Sequence, residues 1–299
     1  MQLAPIALFV YKRPLHTQKT LAALKANHWA KYSDLYIFAD GPKNSFSDKD
    51  HEQLSKTRKL IKNIKGFKKV TIKESRVNKG LATSVITGVT QLIDEYGSVI
   101  VIEDDLITGK GFIQYMNNAL NLYKNQEEVI SIHGYNLPIK VRNLTDTFFL
   151  KGADCWGWAT WKRGWELYNP DTPFLIDQLV AKNMQASFNL NNSYPYMNML
   201  KDQVDGKIDS WAINWYASAF LNNKLTLYPK KSLVTNIGLD GSGTHSGIKK
   251  FKNKPATKCK IYAIPLQESD LALKYIEEYY SHTGSFIKKL VNRILTRFK

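Results

Sequence analysis

A chain of 299 residues with 43% hydrophobic side chains can bury one enzyme-sized core, and no repeat or low-complexity tract interrupts it. Two cysteines, Cys155 and Cys259, are too few for a disulfide framework and too far apart for a metal knuckle, so buried thiols in a reducing compartment are expected. A net charge of +16 predicts attraction to polyanions, whether nucleic acid, anionic lipid or a phosphate-bearing substrate, and no apolar run is long enough to span a bilayer.

The opening Met1–Pro5 lacks a basic start, an apolar stretch and a cleavage site, which predicts a chain that is not exported. Ile6 to Tyr11 is the first predicted strand, closed by Lys12-Arg13-Pro14 because proline cannot donate to a ladder. A helix through Leu15, Leu21, Ala22 and Leu24 follows, ending near residue 28. Leu35 to Ala39 is the second strand, and the turn Asp40-Gly41-Pro42-Lys43 leaves a carboxylate at its end. A helix from about Asp48 to Ile64 carries most of a basic run, Lys56 to Lys73, without an acid. Val70 to Lys73 is the third strand, and Asn78-Lys79-Gly80 leads into a helix through Leu81, Val85, Val89 and Ile93.

Ser98 to Asp105 is the fourth strand. Its β-branched run Val99–Ile102 cannot alternate between core and water, which predicts cover on both faces. It stops on Glu103, Asp104 and Asp105, whose mutual repulsion calls for a cation or for hydrogen-bond donors from a ligand; a solvated turn is the plainer alternative. The alternation of strand and helix predicts an α/β fold with a mostly parallel, Rossmann-like sheet flanked by helices, binding its ligand at the carboxyl ends of the strands.

The second half is less regular. A helix near Gly111 to Tyr123 and a strand near Val129 to Ile132 lead to loop-like His133-Gly134-Tyr135-Asn136. Six of the seven tryptophans then fall between residues 156 and 215; each alone suits a core, but their density beside glycines suits a cleft that stacks on sugar rings. A helix opens at Asp209-Ser210-Trp211, where Asp209 is either a reactive carboxylate or an N-cap, and a strand follows near Leu225 to Tyr228. The glycine-rich loop Asn236 to His245 carries one histidine, structural or a ligand. Phe286, Ile287, Leu290, Val291, Ile294, Leu295 and Phe298 form one helical stripe with Lys288, Lys289, Arg293 and Arg297 off it. That C-terminal amphipathic helix either lies on an anionic membrane or docks on the body of the protein. The expected division is a domain over 1–265, with a nucleotide-binding half 1–105 and an acceptor half 106–265, and a basic helical tail over 266–299.

In order, Tyr11-Lys12-Arg13-Pro14, Phe38-Ala39-Asp40-Gly41, Asn78-Lys79-Gly80-Leu81, Glu103-Asp104-Asp105, Trp156-Gly157-Trp158, Asp209-Ser210-Trp211 and Gly241-Ser242-Gly243-Thr244-His245 resemble the motifs of GT-A-fold nucleotide-sugar-dependent glycosyltransferases. The likeness is to bacterial members of the group related to the N-acetylglucosaminyltransferase that begins complex N-glycans, and it covers roughly residues 5 to 250. The resemblance implies a donor site in which Tyr11, Arg13 and Asp40 border the base, Asp40 accepting from a uracil imide, with Asn78, Lys79 and Gly80 near ribose, phosphates or sugar. It implies that Glu103 faces the donor sugar, Asp104 the ribose, and that Asp105 and His245 hold Mn²⁺ or Mg²⁺. Asp209 would be the base of an inverting transfer, although these relatives carry an acid directly before the tryptophan, where this chain has Ser210; Asp205 and Asp154 are the alternatives. Trp156, Trp158 and Trp211 would hold a glycan or lipid-linked acceptor. A cytoplasmic enzyme, peripheral on the inner face of the plasma membrane and serving surface polysaccharide or lipopolysaccharide synthesis, is the resulting expectation. The other readings are a sugar-phosphate nucleotidyltransferase, whose glycine-rich basic signature after the first strand is missing, and a nucleic-acid binder, whose aromatics should interleave with the basic run. No nucleic-acid partner is expected.

Overall fold

The computed structural model describes residues 2–139, 141–238 and 254–295; of residues 283–295 it describes the backbone alone. Ten strands are present among these residues: β1 Ile6–Val10, β2 Asp34–Ala39, β3 Lys69–Glu74, β4 Ser98–Glu103, β5 Leu106–Thr108, β6 Val129–His133, β7 Thr147–Lys151, β8 Trp158–Trp161, β9 Leu225–Pro229 and β10 Val234–Asn236. The helices are α1 Pro14–Lys25, α2 Asp48–Lys62, α3 Leu81–Tyr96, α4 Phe112–Leu122, α5 Lys162–Trp165, α6 Thr172–Ala181, α7 Gln185–Phe188, α8 Tyr196–Val204, α9 Trp211–Leu221 and α10 Asp270–Leu295.

Eight strands form one sheet in the order β3-β2-β1-β4-β8-β6-β9-β7, and β5 pairs with β10 in a separate two-stranded ribbon. The first four are mutually parallel, β6 and β9 are parallel to each other, and β8 and β7 run against their neighbours. The result is the expected α/β architecture with a mostly parallel sheet. Both faces of β1 and β4 are buried, as the unbroken apolar runs require. Ile6, Leu8, Ile100 and Ile102 enter one core layer with Leu24, Phe112 and Met116 from α1 and α4. Ala7, Phe9, Val99 and Val101 enter the opposite layer with Val85, Val89 and Leu92 from α3 and with Trp211 and Trp215 from α9.

Local signals set the element ends. Pro14 starts α1, where its missing N–H costs nothing, and Gly97 ends α3 at φ 76°, a left-handed position that a side chain would strain. The fourth strand is shorter than its sequence suggests: β4 stops at Glu103, and Asp104 and Asp105 form the turn into β5. β7, β8 and the three helices α6 to α8 have no counterpart in the sequence reading. The basic run is laced to acids, Lys56 lying 2.8 Å from Glu52 one turn earlier in α2, Lys62 3.6 Å from Glu74 of β3 and Lys68 3.7 Å from Asp34 of β2. These exposed pairs reduce the charge that the face of α2 presents to a polyanion.

Candidate active site

Three carboxylates leave the carboxyl end of β4, and the adjacent end of β1 supplies their donors. The Tyr11 N–H donates to Asp104 Oδ2 at 3.3 Å, and the Thr20 hydroxyl of α1 donates to the Asp104 carbonyl at 2.8 Å. Arg13, at the N-cap of α1, places Nη1 2.9 Å from Asp105 Oδ2 and 3.8 Å from Asp104 Oδ1. Burial is the largest cause that pushes Glu103 upward, followed by the charges of Asp105 and Asp104, and Arg13 only partly offsets them. The same balance takes Asp104 up to about 7, burial again coming first and Asp105 second. The cluster is therefore short of positive charge.

The loop beside it is tied down by Asp40. Its Oδ1 accepts from the N–H groups of Gly41 at 2.8 Å and Lys79 at 2.9 Å; its Oδ2 accepts from Asn78 Nδ2 at 2.9 Å and from the Gly80 N–H at 3.0 Å. Four donors fill the acceptor positions of a carboxylate. Asp40 thereby holds the Asn78-Lys79-Gly80 loop, a role that the sequence reading does not give it. The two segments are otherwise pressed together, since a Cβ on Gly41 would lie 2.3 Å from the Val77 carbonyl carbon. Between the loop and the end of β2 lies a cavity of about 190 Å³ bordered by Phe38, Asp40, Lys73, Lys79, Ser84 and Thr87. Tyr11, just past β1, packs on Phe46 with ring centroids 5.8 Å apart, and its phenol is pushed up to about 12 by burial and then by Asp40 and Asp50.

Asp40→Ala is therefore expected to cost at least one charge-assisted hydrogen bond, about 1.5–3 kcal/mol of stability. In kinetics it should raise the donor KM and leave the acceptor KM unchanged. Denaturant melts and donor titrations check it; wild-type values in both would remove the anchoring role.

The ribbon β5–β10 brings the glycine-rich segment to the same place. The Ile237 N–H donates to the Asp105 carbonyl at 2.9 Å, and a Cβ on Gly238 would lie 2.0 Å from Asp105 Oδ2 and 2.8 Å from Arg13 Nη2. The Asp105 and Arg13 side chains thus lie close against Gly238, which the sequence reading passed over because glycine-rich loops carry no pattern that singles out one member. His245 lies outside the described residues. Among the described residues, no group of three or more His, Cys, Asp or Glu side chains is arranged to hold a metal; Asp105 is one carboxylate donor, already shared with Arg13.

The tryptophans need a correction. Trp158 sits in β8, hydrogen-bonded between β4 and β6, and is fully buried. It packs on Trp211 at 5.4 Å, Trp165 at 5.7 Å and Trp215 at 5.8 Å, and Trp211 is itself only 4% exposed. Neither Trp158 nor Trp211 offers an indole face to an acceptor; a short central strand and a buried helix use them as core. Trp156 is half-buried and keeps part of its surface open.

The three candidate bases separate clearly. Asp205 is exposed and paired with Lys207 at 2.7 Å. Asp209 is not the N-cap of α9, because the Ser210 side chain accepts from the Ile213 N–H; Asp209 is exposed instead, and a Cβ on Gly80 would lie 3.7 Å from its Oδ2. Asp154 stands 3.9 Å from buried His133 Nδ1, among tyrosines that the sequence did not single out. Tyr11, Arg13, Asp40, Asn78, Lys79, Gly80 and the three β4 carboxylates thus border one rim, and Asp209 joins them through Gly80.

No protein-family model and no curated protein matches the chain. Solved structures do. TarS of S. aureus has 12% identity over 78% of this chain and 36% of its own, with a TM-score of 0.40. The mannosyltransferase PcManGT from Pyrobaculum calidifontis, in complex with GDP-Man and Mn2+, has 9% identity over 45% of this chain and 36% of its own, with a TM-score of 0.32. A UDP-glucose pyrophosphorylase complexed with UDP-glucose has 12% identity over 56% of this chain and 79% of its own, with a TM-score of 0.33. This chain therefore spans little more than a third of the length of the first two, and at these TM-scores the likenesses assign neither a family nor a chemistry to it.

Proposed function

We propose that the chain is a glycosyltransferase that moves a sugar from a nucleotide-sugar, a UDP-sugar by preference, to a hydroxyl of a glycan or glycolipid. The observation that carries this reading is the rim itself: three carboxylates, Arg13 and the Asp40-anchored Asn78-Lys79-Gly80 loop converge at the carboxyl ends of β1, β2 and β4. A diphosphate entering there meets the Arg13 guanidinium, the one cation paired with Asp105 among the described residues, and Lys79 on the loop. Asp104, held by Tyr11 and turned from solvent, suits a ribose hydroxyl, and Glu103 suits hydroxyls of the donor sugar. Oxygen donors short of positive charge fit a hard dication, so Asp105 would hold Mn²⁺ or Mg²⁺, with His245 as the second protein ligand. Bound there, the ion would supply neutralisation of the charge that grows on the departing diphosphate. Asp209, exposed beside the loop, would take the proton of the acceptor hydroxyl in an inverting displacement.

A thermal shift tests the donor half of this reading. UDP-sugar with Mn²⁺ should raise the melting temperature, and oligonucleotide should not. Stabilisation by oligonucleotide alone would return the protein to the nucleic-acid class.

Attachment to the inner face of the plasma membrane, and a place in surface polysaccharide or lipopolysaccharide synthesis, belong to the same proposal. No helix among the described residues is long and apolar enough to cross a membrane. The backbone of α10 is helical to Leu295, and the side chains of the apolar stripe from Phe286 onward lie outside the described residues. Removing residues 284–299 should release the protein from anionic vesicles while its melting temperature stays within about 2 °C, because a surface helix holds little of the core. Vesicle binding that survives the truncation would overturn the attachment.

A further inference from the structure

Helix α4 carries no charged residue along its 11 positions. Its inner side is core, with Phe112, Ile113, Met116 and Leu120 buried, and the positions left outside are Gln114, Asn118 and Asn121, which share one helical stripe, and Leu122. Among the described residues, none of the three side-chain amides has a hydrogen-bond partner. A solvated helix face is normally filled with strong helix formers, and asparagine is a weak one because its amide competes for the backbone. Two exposed asparagines therefore cost α4 stability and return no contact within the chain.

A second wall faces the amides. Residues 258–262 run past the outer side of α4, and together they enclose a cavity of about 530 Å³ bordered by Gln114, Asn118, Asn121, Lys258, Lys260 and Tyr262. That wall is seated by close backbone contact, since a Cβ on Gly109 would lie 1.8 Å from the Ala256 carbonyl oxygen and one on Gly111 2.5 Å from that of Thr257. Its ends are tied as well: the Ala256 N–H donates to the Ser232 carbonyl at 2.7 Å, and the Tyr123 hydroxyl to the Tyr262 carbonyl at 3.2 Å. The cavity is thus formed before any ligand arrives, and its size is that of an ordinary ligand pocket. Among the described residues, no acid and no member of the donor rim borders it.

We infer that this cavity binds a saccharide carrying an acidic group. A carboxamide both donates and accepts, as a sugar hydroxyl does, so a row of amides matches a row of hydroxyls, whereas a bare anion would use only their N–H groups. At the rise of a helix the row spans roughly 10 Å, the length of two linked rings. Tyr262, 61% exposed, offers a ring to the apolar side of a sugar, and Lys258 and Lys260 supply charge for the acidic group without a competing carboxylate. A nucleic acid would call for several open aromatics, but Tyr115, which also borders the cavity, is 1% exposed. The inference does not rest on the transferase reading.

Saturation-transfer NMR on the full chain tests it, with trigalacturonate, a hyaluronan tetrasaccharide and lactose 1-phosphate as acidic probes and maltotriose and chitotriose as neutral ones. At least one acidic saccharide should receive saturation on its ring protons and bind at least about tenfold more tightly than either neutral one. Asn118→Ala combined with Asn121→Ala should weaken it roughly tenfold or more, one ordinary hydrogen bond going at each position. The melting temperature of that variant should hold or rise, because alanine is the better helix former. Lys258→Ala combined with Lys260→Ala should reduce the acidic saccharide to the neutral level. The thermal shift given by UDP-sugar with Mn²⁺ should be the same in the wild type and both variants, so its absence from all three would remove the transferase reading and leave this site standing. Three results would overturn the inference: no saturation with any acidic saccharide, binding unchanged in both double variants, or an oligonucleotide that binds through the same lysines while the saccharides do not.

Discussion

Asp105→Ala is expected to abolish transfer while the protein still folds. The carboxylate lies in the turn after β4, part-exposed, and its loss removes no core contact. Two things go with it: the donor proposed for the divalent ion, and the partner that holds Arg13 Nη1 at 2.9 Å. The structural cost is small because the acidic cluster carries more negative charge than Arg13 can balance, so one carboxylate fewer relieves repulsion as it breaks the pair. Activity below about one thousandth of wild type, with a melting temperature unchanged or raised, is the expected pair of results. Circular dichroism melts and turnover assays with Mn²⁺, and with EDTA in its place, check both. Full activity of the variant, or of the wild type in EDTA, would exclude an ion held at Asp105.

Asp209→Asn should lower transfer by roughly two to four orders of magnitude, the usual worth of a positioned general base. The structure sharpens this test because Ser210 caps α9, so the substitution cannot act through the helix end. Asparagine keeps the shape of the side chain beside Gly80 and removes its basicity. Donor affinity and melting temperature should change little, and the product should carry the anomeric configuration opposite to that of the donor. Near-normal turnover would pass the role to Asp154, since Asp205 is engaged by Lys207. Retention at the anomeric carbon would exclude a single displacement.

The first half of the chain was legible because its signals are local. A run such as Val99–Ile102 has only one way to be buried, and Pro14, Gly97 and the Glu103-Asp104-Asp105 stop mark element ends through backbone chemistry that operates over a few residues. The rim residues followed, since strand ends in such a sheet share one side. The failures were all non-local. Trp158 reads as a cleft residue because no period in so short a segment distinguishes a four-residue central strand from a loop, and Trp211 because the strand residue that buries it, Trp158, is some fifty positions away. The anchoring role of Asp40 is hidden in the sequence because its donors come partly from residues 78–80, across an intervening strand and helix. Gly238 matters only because β10 pairs with β5, a contact between segments more than a hundred residues apart.

Turnover of a nucleotide-sugar panel by the purified protein tests the account most directly. With Mn²⁺ present, one UDP-sugar should release UDP, slowly by hydrolysis alone and faster once a saccharide bearing the acceptor hydroxyl is supplied, and Asp105→Ala should release none. No UDP, GDP or CMP released from any UDP-, GDP- or CMP-sugar, together with pyrophosphate release from a nucleoside triphosphate and a sugar 1-phosphate, would contradict it and identify the rim as the site of a nucleotidyl transfer.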